Sequence, residues 1–142
     1  MKKALPVVSV ILAVALIVVG IVCIKQNKAI KDSEFLEFNS AMFYCRLMPE
    51  IESEGMWEDA TAVLRALSER CNVPDNGDNI KLLRMCNLLS NLRGADPARP
   101  EIQQMLDQLT VSWDTEEREA TVVSGDIDGL IDRLSEVLEI NE

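Results

Sequence analysis

The sequence has 142 residues, with 24 acidic side chains, 14 basic side chains and no histidine, for a net charge of −10. This length suits a single domain of ordinary size. The lack of histidine removes the commonest general base and metal ligand, and an acidic surface is repelled by phosphate backbones. We therefore expect neither an enzyme nor a nucleic-acid-binding protein, and no cofactor.

Charge divides the chain into two unequal parts. Residues 1–32 carry five lysines and one aspartate, whereas residues 33–142 carry nine basic and 23 acidic side chains, a net charge of −14. The sequence predicts a membrane anchor at residues 1–24, a juxtamembrane linker at 25–34 and an acidic helical soluble domain at 35–142. A continuation of the membrane helix through residues 25–34 is the alternative to a linker.

An apolar run without any charge extends from Leu5 to Ile24. At about 1.5 Å per residue a helix of this length crosses the roughly 30 Å hydrocarbon core of a bilayer, so the run predicts a single transmembrane helix. A signal peptide cleaved after Ala15, or less favourably after Gly20, is the alternative. Only a short apolar run precedes Ala15 and a strongly apolar run follows it, which favours an uncleaved anchor.

The orientation of the anchor is inferred from its flanks. Lysines stand at both ends and nearly balance, but a short basic N-terminus before an apolar run is typical of a bacterial signal anchor. We therefore expect a single-pass protein of the bacterial inner membrane with the C-terminal domain outside the cytoplasm.

Beyond the anchor, apolar side chains recur at helical spacing, and the alternation typical of strands is absent. The fold class predicted is all-α, with one N-terminal transmembrane helix followed by a small irregular helical bundle or helix-hairpin array. Predicted helices cover Ser33–Met48, Trp57–Cys71, Ile80–Arg93, a fourth segment from about Pro100 to Trp113, and a last helix capped by Ser124 that carries Ile127 to Leu138.

Turn residues set the predicted ends of these helices. Pro49 should stop or kink the first, residues 72–78 form the clearest loop, and Asp78 or Asn79 can cap the third. Residues 114–124 are ambiguous, with Asp114 or Thr115 as the cap of a further short helix.

The predicted inner faces follow from the apolar spacing. The first helix buries a stripe of Phe35, Phe38, Met42 and Cys45, widened by Leu36, Phe43 and Leu47. The second buries Met56, Ala60, Val63, Leu64, Leu67 and Cys71, and the third buries Leu82, Leu83, Cys86, Leu89 and Leu92.

Two short segments partly match known motifs. The segment Gly55–Ala60 resembles the turn and second helix of a tetratricopeptide repeat, but no second copy follows about 34 residues later, so we interpret it as an ordinary helical hairpin. Asp126, Asp128 and Gly129 match three positions of a calcium loop, but the twelfth position is Ser135 where a carboxylate is required. A helix start is the better interpretation.

Three cysteines lie in the soluble part, Cys45, Cys71 and Cys86, and none forms a C-x-x-C pair. Cys71 and Cys86 flank the predicted loop symmetrically, so they would face each other in an antiparallel helix pair. This predicts a disulfide between Cys71 and Cys86 if the domain lies in an oxidising compartment, with Cys45 as an alternative partner. Buried free thiols also fit the spacing.

The function class that these features favour is a membrane-tethered helical protein-interaction or assembly module. Its working surface would be a helical groove or an acidic face that binds a basic or helical protein partner. The alternative is an accessory structural subunit of a membrane complex, held through its transmembrane helix. The lipid bilayer is the second expected partner in either case.

Overall fold

The computed structural model describes residues 4–114 and 116–140, with side chains at 7–29, 36–114 and 116–139. The chain is mostly helical, with a small two-stranded sheet, and it divides into two compact units, Met1–Ser33 and Glu34–Glu142. The elements are α1 (Ala4–Leu47), a 3-10 turn (Met48–Glu50), α2 (Glu54–Arg70), α3 (Asn79–Leu89), α4 (Arg99–Asp107), β1 (Thr110–Asp114), β2 (Glu119–Ser124) and α5 (Ile127–Ile140).

The first unit is helical throughout its described residues. Its segment Val7–Ala29 has a mean hydropathy of 3.3 and none of it is buried, so this helix is long and apolar enough to cross a membrane. A signal sequence has the same properties. Residues 25–34 are helical as well, which corresponds to the continuation of the membrane helix rather than to an irregular linker.

The proline prediction at the end of α1 is confirmed. The helix ends at Leu47, and Pro49 lies in the 3-10 turn that follows it. Proline has no N–H to donate to a continuing helix, which explains the stop. The helix predicted from about Ser33 lies within α1, which is helical from Ala4 to Leu47. Phe35, predicted to be buried, lies outside the residues whose side chains are described.

The second unit is organised around α3, which packs against α2 and α5. Its core contains the inner face of α1 together with apolar side chains from every other helix. The predicted interiors of α3 and α5 are largely confirmed: Leu82, Cys86 and Leu89 are buried, as are Leu130 and Leu134. Met85, which is also fully buried, was missing from the predicted face.

The interior of α2 differs from the prediction. Met56 and Val63 are 61% and 38% exposed, whereas Trp57, predicted only as the start of the helix, is fully buried. The helix begins earlier than expected because Ser53 caps it, with its Oγ accepting a hydrogen bond from the N–H of Met56. Gly55 therefore lies within the first turn of α2.

Strands β1 and β2 form a β-hairpin, which corrects both the predicted length of the fourth helix and the predicted short helix after it. The register pairs Trp113 with Ala120 and Asp114 with Glu119. The β-branched residues of both strands favour an extended backbone, so α4 ends at Asp107 and Trp113 belongs to β1. The predicted cap Thr115 lies outside the described residues.

The hairpin is fixed to the 72–78 loop through Asn79. This side chain is fully buried: its Nδ2 donates hydrogen bonds to the carbonyls of Pro74 and Arg118, both at 2.8 Å. Its Oδ1 accepts a hydrogen bond from the N–H of Ala120 at 2.7 Å. One buried amide therefore satisfies three backbone groups from two segments, of which the N–H of Ala120 is buried and the two carbonyls are part-buried.

Asp78 and Gly77 complete this junction. The Oδ2 of Asp78 accepts a hydrogen bond from the N–H of Val122 at 2.7 Å, so its side chain binds the hairpin and does not cap α3. Gly77 has a φ of +50°, and a Cβ added there would lie 2.7 Å from the carbonyl oxygen of Ala120. Only glycine allows this close approach of loop and strand.

The segment from Asp126 to Gly129 contains the start of helix α5, the interpretation that was preferred to a calcium loop. Asp126 precedes α5, where its carbonyl accepts a hydrogen bond from the N–H of Leu130 and its Oδ1 accepts one from the N–H of Gly129 at 2.9 Å. Asp126 therefore takes the capping role that the sequence assigned to Ser124, which ends β2 instead.

Candidate interaction surface

The most unusual surface of the second unit is an apolar face of α1. Leu36, Phe43 and Leu47 are 63%, 58% and 37% exposed, and we call these three side chains the α1 ridge. The sequence assigned them to the buried stripe, which is wrong. Leu36 and Cys45 are nine residues apart, about two and a half helical turns, so they lie on opposite sides of α1. Only the side that carries Cys45 faces the core.

The ridge side chains follow one another at helical spacing. Leu36, Phe43 and Leu47 stand seven and four residues apart, which places them on one face of α1. Ser40 lies between Leu36 and Phe43, and its Oγ donates to the carbonyl of Leu36 at 2.7 Å. This hydroxyl is therefore satisfied within the helix, and the face stays apolar.

The opposite side of the same helix segment is tightly packed. Phe38 and Ala41 are almost fully buried, and the ring of Phe38 stacks on that of Trp113 with centroids 4.5 Å apart. These contacts hold this part of α1 against the hairpin and the core. The ridge is thus presented by a helix whose orientation within the second unit is fixed.

An acidic surface lies on the hairpin. Asp114, Glu117 and Glu119 line an open cavity of about 510 Å³ together with Ser112 and Thr121. The Oδ1 of Asp114 accepts hydrogen bonds from the N–H groups of Glu116 and Glu117. Among the described residues, no group of three or more histidine, cysteine, aspartate or glutamate side chains is arranged to hold a metal ion.

A mixed groove lies at the other end of α3. It has a volume of about 850 Å³, and its lining includes Arg84, Leu88, Arg93, Pro97, Leu138 and Glu139. This is the feature closest to the helical groove expected from the sequence. Because its lining includes polar and charged side chains, this groove is less suited to bind an apolar helix than the α1 ridge.

Two of the basic side chains already bind carboxylates of the same domain. The Nζ of Lys81 lies 3.0 Å from Asp128, and the guanidinium of Arg133 lies within 3.0 Å of Glu101 and Glu136. The hydrogen bond to Asp128 raises the pKa of Lys81, and those to Glu101 and Glu136 raise the pKa of Arg133. These ion pairs leave the net charge of residues 33–142 at −14.

The cysteines are placed differently from the leading prediction. Cys45 and Cys86 lie with their Sγ atoms 3.5 Å apart in the core, although Cys45 was predicted only as the alternative disulfide partner. Cys71 is half-buried just after α2, and none of these three cysteines forms a disulfide in the described part of the chain. The Cys71–Cys86 disulfide stays a prediction.

Comparison of the chain with protein-family models, with curated proteins and with solved structures gives no match.

Proposed function

We propose that this chain is a membrane-tethered protein-interaction or assembly module whose α1 ridge binds an apolar helical surface of a protein partner. The observation that carries the proposal is the exposure of Leu36, Phe43 and Leu47 on one face of the C-terminal part of α1, whose opposite face is packed in the core. Clustered exposed apolar side chains mark interaction sites more often than isolated ones. Helices that dock in grooves use anchors at this kind of spacing.

The apolar helix at the N-terminus supports the tether. We propose that Val7–Ala29 is an uncleaved anchor, that the chain crosses a bacterial inner membrane once, and that the C-terminal domain lies outside the cytoplasm. Confinement to a membrane raises the effective concentration of partners in the same membrane, so a small interface such as the ridge is sufficient for association.

The charge of the domain favours a partner with basic side chains around its apolar site. Residues 33–142 carry a net charge of −14, and an acidic protein surface of this size repels acidic partners and accelerates encounter with basic ones. In this account the ridge supplies affinity, and the surrounding carboxylates supply selectivity.

A substitution in the ridge tests the proposal. In the full-length chain, Phe43→Ser removes the central ridge side chain at little cost to folding, since Phe43 is 58% exposed. Loss of a central aromatic anchor costs about 2 kcal/mol or more, so binding should weaken roughly 30-fold. The measurement is the amount of complex recovered after crosslinking in native membranes and isolation of the tagged chain.

Met56→Ser is the matched control, because Met56 is equally exposed but lies on α2, outside the ridge. Complex recovery should be retained with Met56→Ser, and both variants should stay in the membrane pellet after an alkaline carbonate wash. If Phe43→Ser leaves recovery unchanged, the ridge is not the binding surface. The alternative, an accessory subunit held through its transmembrane helix, would then be favoured.

A further inference from the structure

Two buried thiols from distant parts of the chain meet in the core of the second unit. The Sγ atoms of Cys45, on the inner face of α1, and Cys86, on α3, are 3.5 Å apart. Cys45 is 5% exposed and Cys86 is not exposed at all. A disulfide has an S–S bond of about 2.05 Å, so the two sulfurs would have to approach each other by about 1.5 Å.

Cys71 lies close enough to affect the same thiol. The hydrogen bond with Cys45, burial, and the charges of Cys45 and Cys71 together raise the pKa of Cys86 well above its usual value. Cys86 is therefore a protonated, inaccessible thiol in the folded domain, and thiols of this kind react slowly. Any oxidation must take place while the domain is still open, during folding.

We propose that Cys45 and Cys86 form the structural disulfide of this domain when it folds under oxidising conditions, and that Cys71 remains a thiol. This proposal goes beyond the interaction function. It uses the proposed location of the domain outside the cytoplasm only because that compartment supplies the oxidant. The bridge would join α1 to α3, on the side of α1 opposite the ridge. It would thereby hold the ridge helix against the core.

The chemistry balances with a disulfide as oxidant. The Cys86 thiolate attacks a disulfide of a thiol oxidoreductase, or oxidised glutathione in vitro, and releases one thiolate of the oxidant. The Cys45 thiolate then attacks the Cys86 sulfur of the mixed disulfide and releases the second thiolate. Two electrons pass from the cysteines to the oxidant, and their two protons leave to the solvent or to the released thiolates.

Peptide mapping after oxidative refolding tests the pairing. The full-length chain is unfolded, reduced and refolded in detergent with a glutathione redox buffer, then alkylated without reductant and digested with trypsin. Each soluble-part cysteine falls in its own peptide, at residues 32–46, 71–81 and 85–93. We expect peptides 32–46 and 85–93 joined and peptide 71–81 alkylated.

Variants and melting curves complete the test. Cys71→Ser should keep the joined peptides, whereas Cys45→Ala should lose them. Reduction of the wild-type chain under conditions that open the domain should lower its melting temperature by about 10 °C or more, since a bridge closing a loop of roughly 40 residues removes much unfolded-state entropy. This last readout needs no substitution, so it does not depend on whether a variant folds.

The results separate this inference from the proposed function. A dominant link between peptides 71–81 and 85–93, or alkylation of all three cysteines after oxidative refolding, overturns the Cys45–Cys86 pairing and leaves the ridge proposal intact. The same mapping on native membranes then reports location. A joined 32–46 and 85–93 pair in those membranes supports the outside location, and a pair formed in vitro but absent there supports the pairing and contradicts that location.

Discussion

The Trp57→Ala variant is expected to lose most of the stability of the second unit. Trp57 is fully buried, and its Nε1 donates a hydrogen bond to the carbonyl of Leu92 at 2.8 Å. The guanidinium of Arg99 lies 5.5 Å from the ring centroid. Truncation of a buried tryptophan costs about 3–5 kcal/mol, and the carbonyl of Leu92 loses its partner as well.

This loss is a large part of the roughly 5–15 kcal/mol that stabilises a typical domain. Urea unfolding of the full chain in detergent, followed by circular dichroism, should show a midpoint strongly lowered for Trp57→Ala. The adjacent Met56→Ala is the control, because Met56 is 61% exposed and its truncation should shift the midpoint little. Similar midpoints for the two variants would show that Trp57 does not hold α2 to the core.

The Asn79→Ala variant is expected to detach the hairpin from the 72–78 loop. Three backbone groups lose their partner: the carbonyls of Pro74 and Arg118 and the N–H of Ala120. An unsatisfied buried polar group costs about 1–3 kcal/mol, so the total penalty is expected to be several kcal/mol. Asn79→Asp keeps the acceptor for Ala120 but places a buried carboxylate oxygen against the carbonyls of Pro74 and Arg118, so it should destabilise the domain at least as much as Asn79→Ala.

Asn76 supplies the matched control in the same loop. It is exposed, and its Nδ2 makes one longer hydrogen bond of 3.3 Å to the carbonyl of Glu117, so Asn76→Ala should be nearly neutral. Tryptophan fluorescence, to which Trp57 on α2 and Trp113 on β1 both contribute, follows the urea unfolding of the second unit. Equal midpoints for the variants at 76 and 79 would contradict the role given to Asn79.

The parts of the fold that local sequence determines were predicted well. The stop at Pro49 follows from the missing N–H of proline, and the buried stripe of α5 follows from its regular apolar spacing. The loop at residues 72–78 follows from its Asn, Asp, Gly and Pro content. None of these features depends on a distant part of the chain.

The parts that were missed depend on distant contacts. The β-hairpin is held by Asn79 and Asp78, which lie about 40 residues before it, so its own sequence gives only a weak strand signal. The Cys45–Cys86 contact likewise needs the packing of α1 near α3. Spacing alone favoured Cys71, which is nearer to Cys86 along the chain.

The candidate surface was missed for a different reason. The end of α1 is apolar on both sides, and periodicity cannot show which side the rest of the domain covers. The structure buries the side with Phe38 and Met42 and leaves Leu36 and Phe43 exposed. The end of α1 has more apolar positions than one buried face needs. This excess was the available sequence signal of a binding surface.

The most direct measurement of the central claim is site-specific photocrosslinking in native membranes. A photoreactive phenylalanine analogue is placed at position 43 of the full-length chain, and in a second sample at position 62, which is exposed on α2 away from the ridge. We predict a discrete protein adduct from position 43 and none from position 62. Equal labelling from both positions, or no adduct from position 43 while the chain remains in the membrane, would contradict a binding role for the α1 ridge.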